Sequence, residues 1–172
     1  MASSALIHRT TIACLALAGL PAFAQMDVKA AVLKHLKTSR DFTLKVADQM
    51  PEADYGFKLT PPQMSFAEQM KHLAEEQAGF LAAFSSDRPN PGKPASMNKK
   101  DVIAYVRQSF DRSIDTVSKL TPEQLAKTYK SGEGSMTGLE LVMFMLDHNT
   151  HHRASAEMYL RAKGITPAEY TF

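Results

Sequence analysis

Apolar residues return every three or four positions in four separate stretches of the chain, the period of a helix with one buried face. In residues 27–50 the stripe runs Val28, Val32, Leu36, Phe42, Val46 and Met50, with lysines largely off it. Pro51 closes the segment, since it lacks an amide hydrogen and restricts the residue before it. The second stripe, Phe66, Met70, Leu73, Gln77, Phe80, Leu81 and Phe84, follows Ser65 and Glu68, the two ends of a capping box. The third, Val102, Val106, Phe110, Ser113, Val117 and Leu120, opens behind Asn98, a good N-cap. The fourth opens behind a second capping box, Thr137 and Glu140, and runs to Gly164 and Pro167, the usual stop signals. Its first part, residues 139–146, is apolar on nearly every side, which predicts burial on most sides.

Between the stripes lie predicted connections. Residues 52–63 hold Tyr55, Phe57 and a proline pair, and these aromatics predict a loop packed over the fold. Residues 85–97 are rich in Pro, Gly and Ser and read as the longest linker. Thr121, Pro122 and Glu123 predict one short turn of helix with proline at its permitted first position. Residues 127–135, with their glycines, read as a loop. Four long helices and no convincing strand predict an all-α four-helix bundle.

The N-terminus departs from this plan. Residues 1–24 combine His8 and Arg9, an apolar run from Thr11 to Leu20, Pro21 and the sequence Ala22-Phe23-Ala24. That is the layout of a cleaved secretory signal, with cleavage expected before Gln25. The run is too short to anchor in a bilayer. The expectation is an exported protein, periplasmic or secreted, whose one domain spans residues 25–172 and has no integral membrane segment. The sole cysteine, Cys14, leaves with the leader, so the mature chain has no disulfide and no thiolate ligand. Losing Arg9 lowers the formal net charge from +2 to +1. No basic block interleaved with aromatics argues for nucleic acid.

The chemistry lies in histidines. His148 and His152 stand four residues apart on the fourth predicted helix, so both imidazoles leave one face. His72, in the second helix, is a third donor. Three nitrogens leave a coordination position open, the pattern of a catalytic rather than a structural site. Imidazole suits Zn, Ni, Fe or Cu. The competing reading is core or surface histidines satisfied by hydrogen bonds. His151 competes with His152, but its spacing suits a surface pair with Asp147, and the 148/152 face continues through Leu141, Met145, Ala156 and Tyr159. His35 reads as a satisfied core histidine. Glu76, four residues after His72, is a candidate catalytic acid or base, a fourth ligand or an acceptor for a ring N–H; the plain alternative is a solvated charge. Arg153 and Tyr159 are pocket candidates, against a surface ion pair for the first and a core position for the second.

The segments K-H-L-A-E-E-Q at Lys71 to Gln77, H-N-T-H-H-R at His148 to Arg153 and Y-L-R-A-K-G at Tyr159 to Gly164 resemble the DinB/YfiT-like superfamily in order and separation. The resemblance covers essentially the whole mature chain. It implies a bundle with up-down-down-up connectivity, homodimers, and a divalent metal (Zn, Ni or Fe) held by three histidines, here His72, His148 and His152. It also implies a metal-dependent hydrolase or transferase acting on a small molecule. Such relatives commonly continue H-H-R with Gly-Gln, where this chain has Ala154 and Ser155. The reading from a different class is a non-catalytic periplasmic module that sequesters a metal or a small ligand.

Overall fold

The computed structural model describes residues 28–85, 92–132 and 134–171. The leader predicted at residues 1–24 lies outside the described residues. Among those residues no helix is long and apolar enough to cross a membrane.

Helix α1 spans Val28–Gln49. Helix α2 spans Phe66–Leu81 and begins at the predicted box: the Ser65 hydroxyl accepts from the Glu68 amide at 3.2 Å, and the Glu68 carboxylate accepts from the Ser65 amide at 2.6 Å. Asn98 caps α3, Lys99–Lys119, by accepting from the Asp101 amide at 2.8 Å. Short α4 spans Pro122–Ala126. Helix α5, Gly138–Ala162, carries the Thr137/Glu140 box. It ends in a Schellman turn: Gly164 has φ +74°, its amide donates to Arg161 O, and the Ile165 amide donates to Leu160 O.

The four long helices pack in a ring, in the order α1, α3, α2, α5 and back to α1. Their directions follow from paired residues. Lys29 reaches the Leu120 carbonyl while Lys99 pairs with Asp48, so α1 and α3 are antiparallel. The Ser109 hydroxyl donates to Ala74 O, and Leu81 shares a small cavity with Thr116, so α2 and α3 run together. Phe66 meets Tyr159 and Phe80 meets Phe144, so α2 and α5 are antiparallel. Taken in chain order the helices run up, down, down, up. Leu36, Phe42, Phe66, Leu73, Phe110 and Met145, all buried, come from all four and form the core. The predicted aromatic loop closes one end: the Tyr55 hydroxyl donates to Ala47 O at 2.7 Å, and the Phe57 ring lies edge-on to Tyr159 at 6.2 Å.

Two expectations need correction. Residues 127–135 are not a plain loop. Strands β1, Thr128–Ser131, and β2, Gly134–Thr137, form an antiparallel hairpin. Each strand holds a single large apolar residue, Tyr129 or Met136, so no apolar–polar alternation repeats in the sequence and it carries no strand signal. The hairpin is held by its setting: the Gly138 amide donates to Lys127 O at 2.9 Å, and Gly138 packs directly against the Gln124 carbonyl, where a Cβ has no room. Nor is the start of α5 buried on most sides. Met143 and Phe144 are 52% and 46% exposed, because in a ring of four each helix has an outward face whatever its composition.

Candidate metal centre

Because α2 and α5 are antiparallel neighbours, one turn of each meets at the same level. His72 leaves α2 there, and His148 and His152 leave α5. The ring centroids stand 4.6 Å (His72 to His152), 5.2 Å (His72 to His148) and 4.4 Å (His148 to His152) apart. One nitrogen from each ring lies within 4.8 Å of the others. A zinc–imidazole bond is about 2.0–2.1 Å, so these rings converge on one ion after small side-chain rotations. All three are half-buried.

Their environment suits ligation. Burial pushes the His148 imidazole below its ordinary pKa, and the neighbouring His72 adds to this. Burial, then His148 and His72, lowers His152 to about 4. Both are therefore neutral at pH 7 and have a lone pair to offer. The Gln69 amide oxygen lies 2.6 Å from His152 Nδ1. With that oxygen as acceptor, Nδ1 carries the proton and Nε2 is left to bind. Nδ1 of His148 is buried with no hydrogen-bond partner among the described residues. The donor set, its spacing and the neutral rings of His148 and His152 fit a divalent cation.

Glu76 stands beside this group and outside it. Its Oε1 lies 4.0 Å from His72 Nδ1, beyond a hydrogen bond, and its side chain is 44% exposed. Of the remaining candidates, His151, His35 and Arg153 sort differently from expectation, and Tyr159 holds the expected core position. His151 is exposed and lies edge-on to His152 at 4.9 Å; no ion pair joins it to Asp147 among the described residues. His35 is exposed on α1 rather than held in the core. Arg153 is buried and turned from the histidines toward α1: Nη1 donates to Ser39 at 3.0 Å, and the guanidinium lies over the Phe42 ring at 4.6 Å. Tyr159 is a core residue, and its hydroxyl donates to Met64 O instead of reaching solvent.

Two residues near the centre escaped the sequence reading as site residues. Gln69 precedes His72 by three, so it shares that helix face, a spacing that points to it once His72 is chosen. Phe80, read only as a core position, places its ring 5.3 Å from that of His148. It also lines a cleft of about 670 Å³ that opens beside the histidines.

The fold and the sequence agree with known proteins. A solved DinB-like protein from Bacillus cereus superposes with a TM-score of 0.70 at 15% identity, covering 83% of this chain and 97% of that one. The DinB-like protein YjoA from Bacillus subtilis superposes with a TM-score of 0.67 at 20% identity, covering 81% and 96%. In sequence, YjoA is 22% identical over 140 residues, which cover 78% of this chain and 90% of YjoA. The DinB family model matches residues 26–172, nearly everything after the expected leader. The chain belongs to the DinB family.

Proposed function

We propose that this protein is an exported metal-dependent enzyme that hydrolyses a small molecule, with transfer to another acceptor as the near alternative. The observation that carries the reading is the convergence of His72, His148 and His152 from two helices on one point. Three imidazoles bind a divalent cation and leave room for a guest. A bound ion supplies Lewis acidity there. The chain does the rest: Gln69 fixes the tautomer of His152, and Glu76 takes a proton from the attacking water and returns it to the leaving group. The cleft beside the site supports catalysis over storage of a metal alone, since a stored ion needs no room for a substrate. The leader-like layout of residues 1–24 supports export, and mass spectrometry of the secreted chain should find Gln25 at its N-terminus.

Elemental analysis of the native protein, beside His72→Ala and His152→Ala, tests the centre. One equivalent of Zn, Ni or Fe is expected in the native protein and none in either variant. An ester and amide panel then tests catalysis: metal-loaded protein turns over a member, stripped protein does not, and Glu76→Gln is slowed about 10²–10⁴-fold. A loaded site with no turnover would leave the sequestering module standing. A native protein without metal would remove the enzyme and the metal-sequestering readings.

A further inference from the structure

The C-terminal half of α2 faces the β1–β2 hairpin across the cleft of about 670 Å³. Small-molecule sites span roughly 300–1,000 Å³. Two wall residues also touch the histidine cluster: Glu76 lies 4.0 Å from His72, and Phe80 stands ring to ring with His148. The cleft therefore lies beside the metal centre, although none of the three histidines lines it. It extends toward Lys130, on the hairpin that the Phe84–Tyr129 ring contact ties to the end of α2. From Glu76 to Leu81, the end of α2, is roughly 7.5 Å along the axis, and the 3-10 turn Ala82–Phe84 adds roughly 6 Å.

The charges differ along this length: the histidine end carries two carboxylates, Glu75 and Glu76, and the hairpin end carries Lys130. Glu75 is tied to Lys71 at 2.5 Å, which neutralises it. Lys130 is exposed and forms no ion pair among the described residues. Between the ends the lining is apolar or small, with Phe80, Leu141, Ala83 and Gly79. Gly79 is the informative one. It sits inside α2 without a positive φ, and a Cβ there would meet only Glu76 Oε2 at an ordinary 3.7 Å. Neither backbone geometry nor packing requires glycine. The missing side chain instead keeps the cleft wide.

We propose that this cleft binds a small organic acid, its carboxylate at Lys130, its apolar body on Phe80 and Leu141, and its far end at the histidines. This deepens the enzyme reading above by giving its substrate a chemical class, and it rests on that reading for what happens at the far end.

Isothermal titration of the metal-loaded protein with hexanoate, octanoate and hexylamine tests the proposal. The acids should bind and the amine should not. Lys130→Glu should weaken the acids by roughly tenfold and admit hexylamine, as reversal of one exposed charge pair requires. Gly79→Leu should abolish acid binding by filling the cleft. Both variants should keep one metal per chain by elemental analysis, so loss of binding is not loss of the centre. Equal affinity for acid and amine, or acid binding unchanged in Lys130→Glu, overturns the proposal. If acid binding is lost in His152→Ala yet kept in Lys130→Glu, the carboxylate sits at the metal and the assignment fails. A wild type without metal that still binds acids through Lys130 would refute the enzyme reading and leave the cleft's ligand class intact.

Discussion

Gln69 holds His152 by one contact of 2.6 Å, and that contact decides which ring nitrogen faces the centre. Gln69→Leu removes the acceptor, frees the tautomer and leaves a half-buried N–H unpaired. The expected result is a loss of metal affinity of about 10–100-fold, read by competition with a chelator, with little change in helicity. Gln69→Glu keeps the acceptor, adds charge, and should bind at least as tightly as the wild type. Protonation gives a second expectation. The unfolded chain has a histidine near 6.5, whereas the fold holds His152 near 4. Between those values the unfolded state carries more protons, so the metal-free protein loses stability as pH falls from about 6.5 to 4. His148 is shifted in the same sense. His152→Leu should flatten this slope in urea titrations run across the window; an unchanged slope would show that other groups set it. The ligands were legible because a four-residue spacing places two rings together on any helix. Gln69, His35 and Arg153 were not. Whether a polar side chain turns inward depends on what the neighbouring helix offers, as Ser39 and Phe42 on α1 do for Arg153.

The same substitution at two glycines separates what an element needs from what its neighbours allow. Gly79 lies inside α2 where a Cβ meets only Glu76 Oε2 at an ordinary 3.7 Å, so Gly79→Ala should stabilise the protein by up to about 1 kcal/mol through helix propensity. Gly138 opens α5 against the Gln124 carbonyl and the Phe84 ring. There Gly138→Ala must push α4 or the hairpin aside, and a loss of about 1–3 kcal/mol is expected, as for other overpacked sites. Urea melts of the two variants should move in opposite directions; a shift of the same sign would undo the assigned roles. At this scale the helices could be read from the chain, because each announces itself over four or more turns, and three begin at a capping residue visible in the sequence. The hairpin could not. Its strands are four residues long, and its support is the Lys127–Gly138 contact, made only once α4 and α5 are in place.

For the whole molecule the periodic stripes specify four buried faces but not which face meets which. The ring order comes from packing, and the function proposed here depends on one adjacency in it, α2 beside α5. That adjacency is held by Phe66 on Tyr159 at one level and Phe80 on Phe144 at another, with the histidines between. An ion bound to His72 on α2 and to His148 and His152 on α5 would tie two elements far apart in sequence but adjacent in space. The unfolded chain lacks this arrangement, so the ion binds the native state preferentially and its binding energy adds to folding stability. At a free concentration one hundred times Kd the gain is about 2.7 kcal/mol. For a chain of this length that raises Tm by roughly 5–10 °C. Thermal melts with and without added Zn or Ni should show this rise in the wild type. The rise should vanish in His72→Ala, which empties the α2 side, and in His152→Ala, which empties the α5 side. A rise that survives in both variants would mean the metal binds elsewhere, and the two helices would then be neighbours for packing alone.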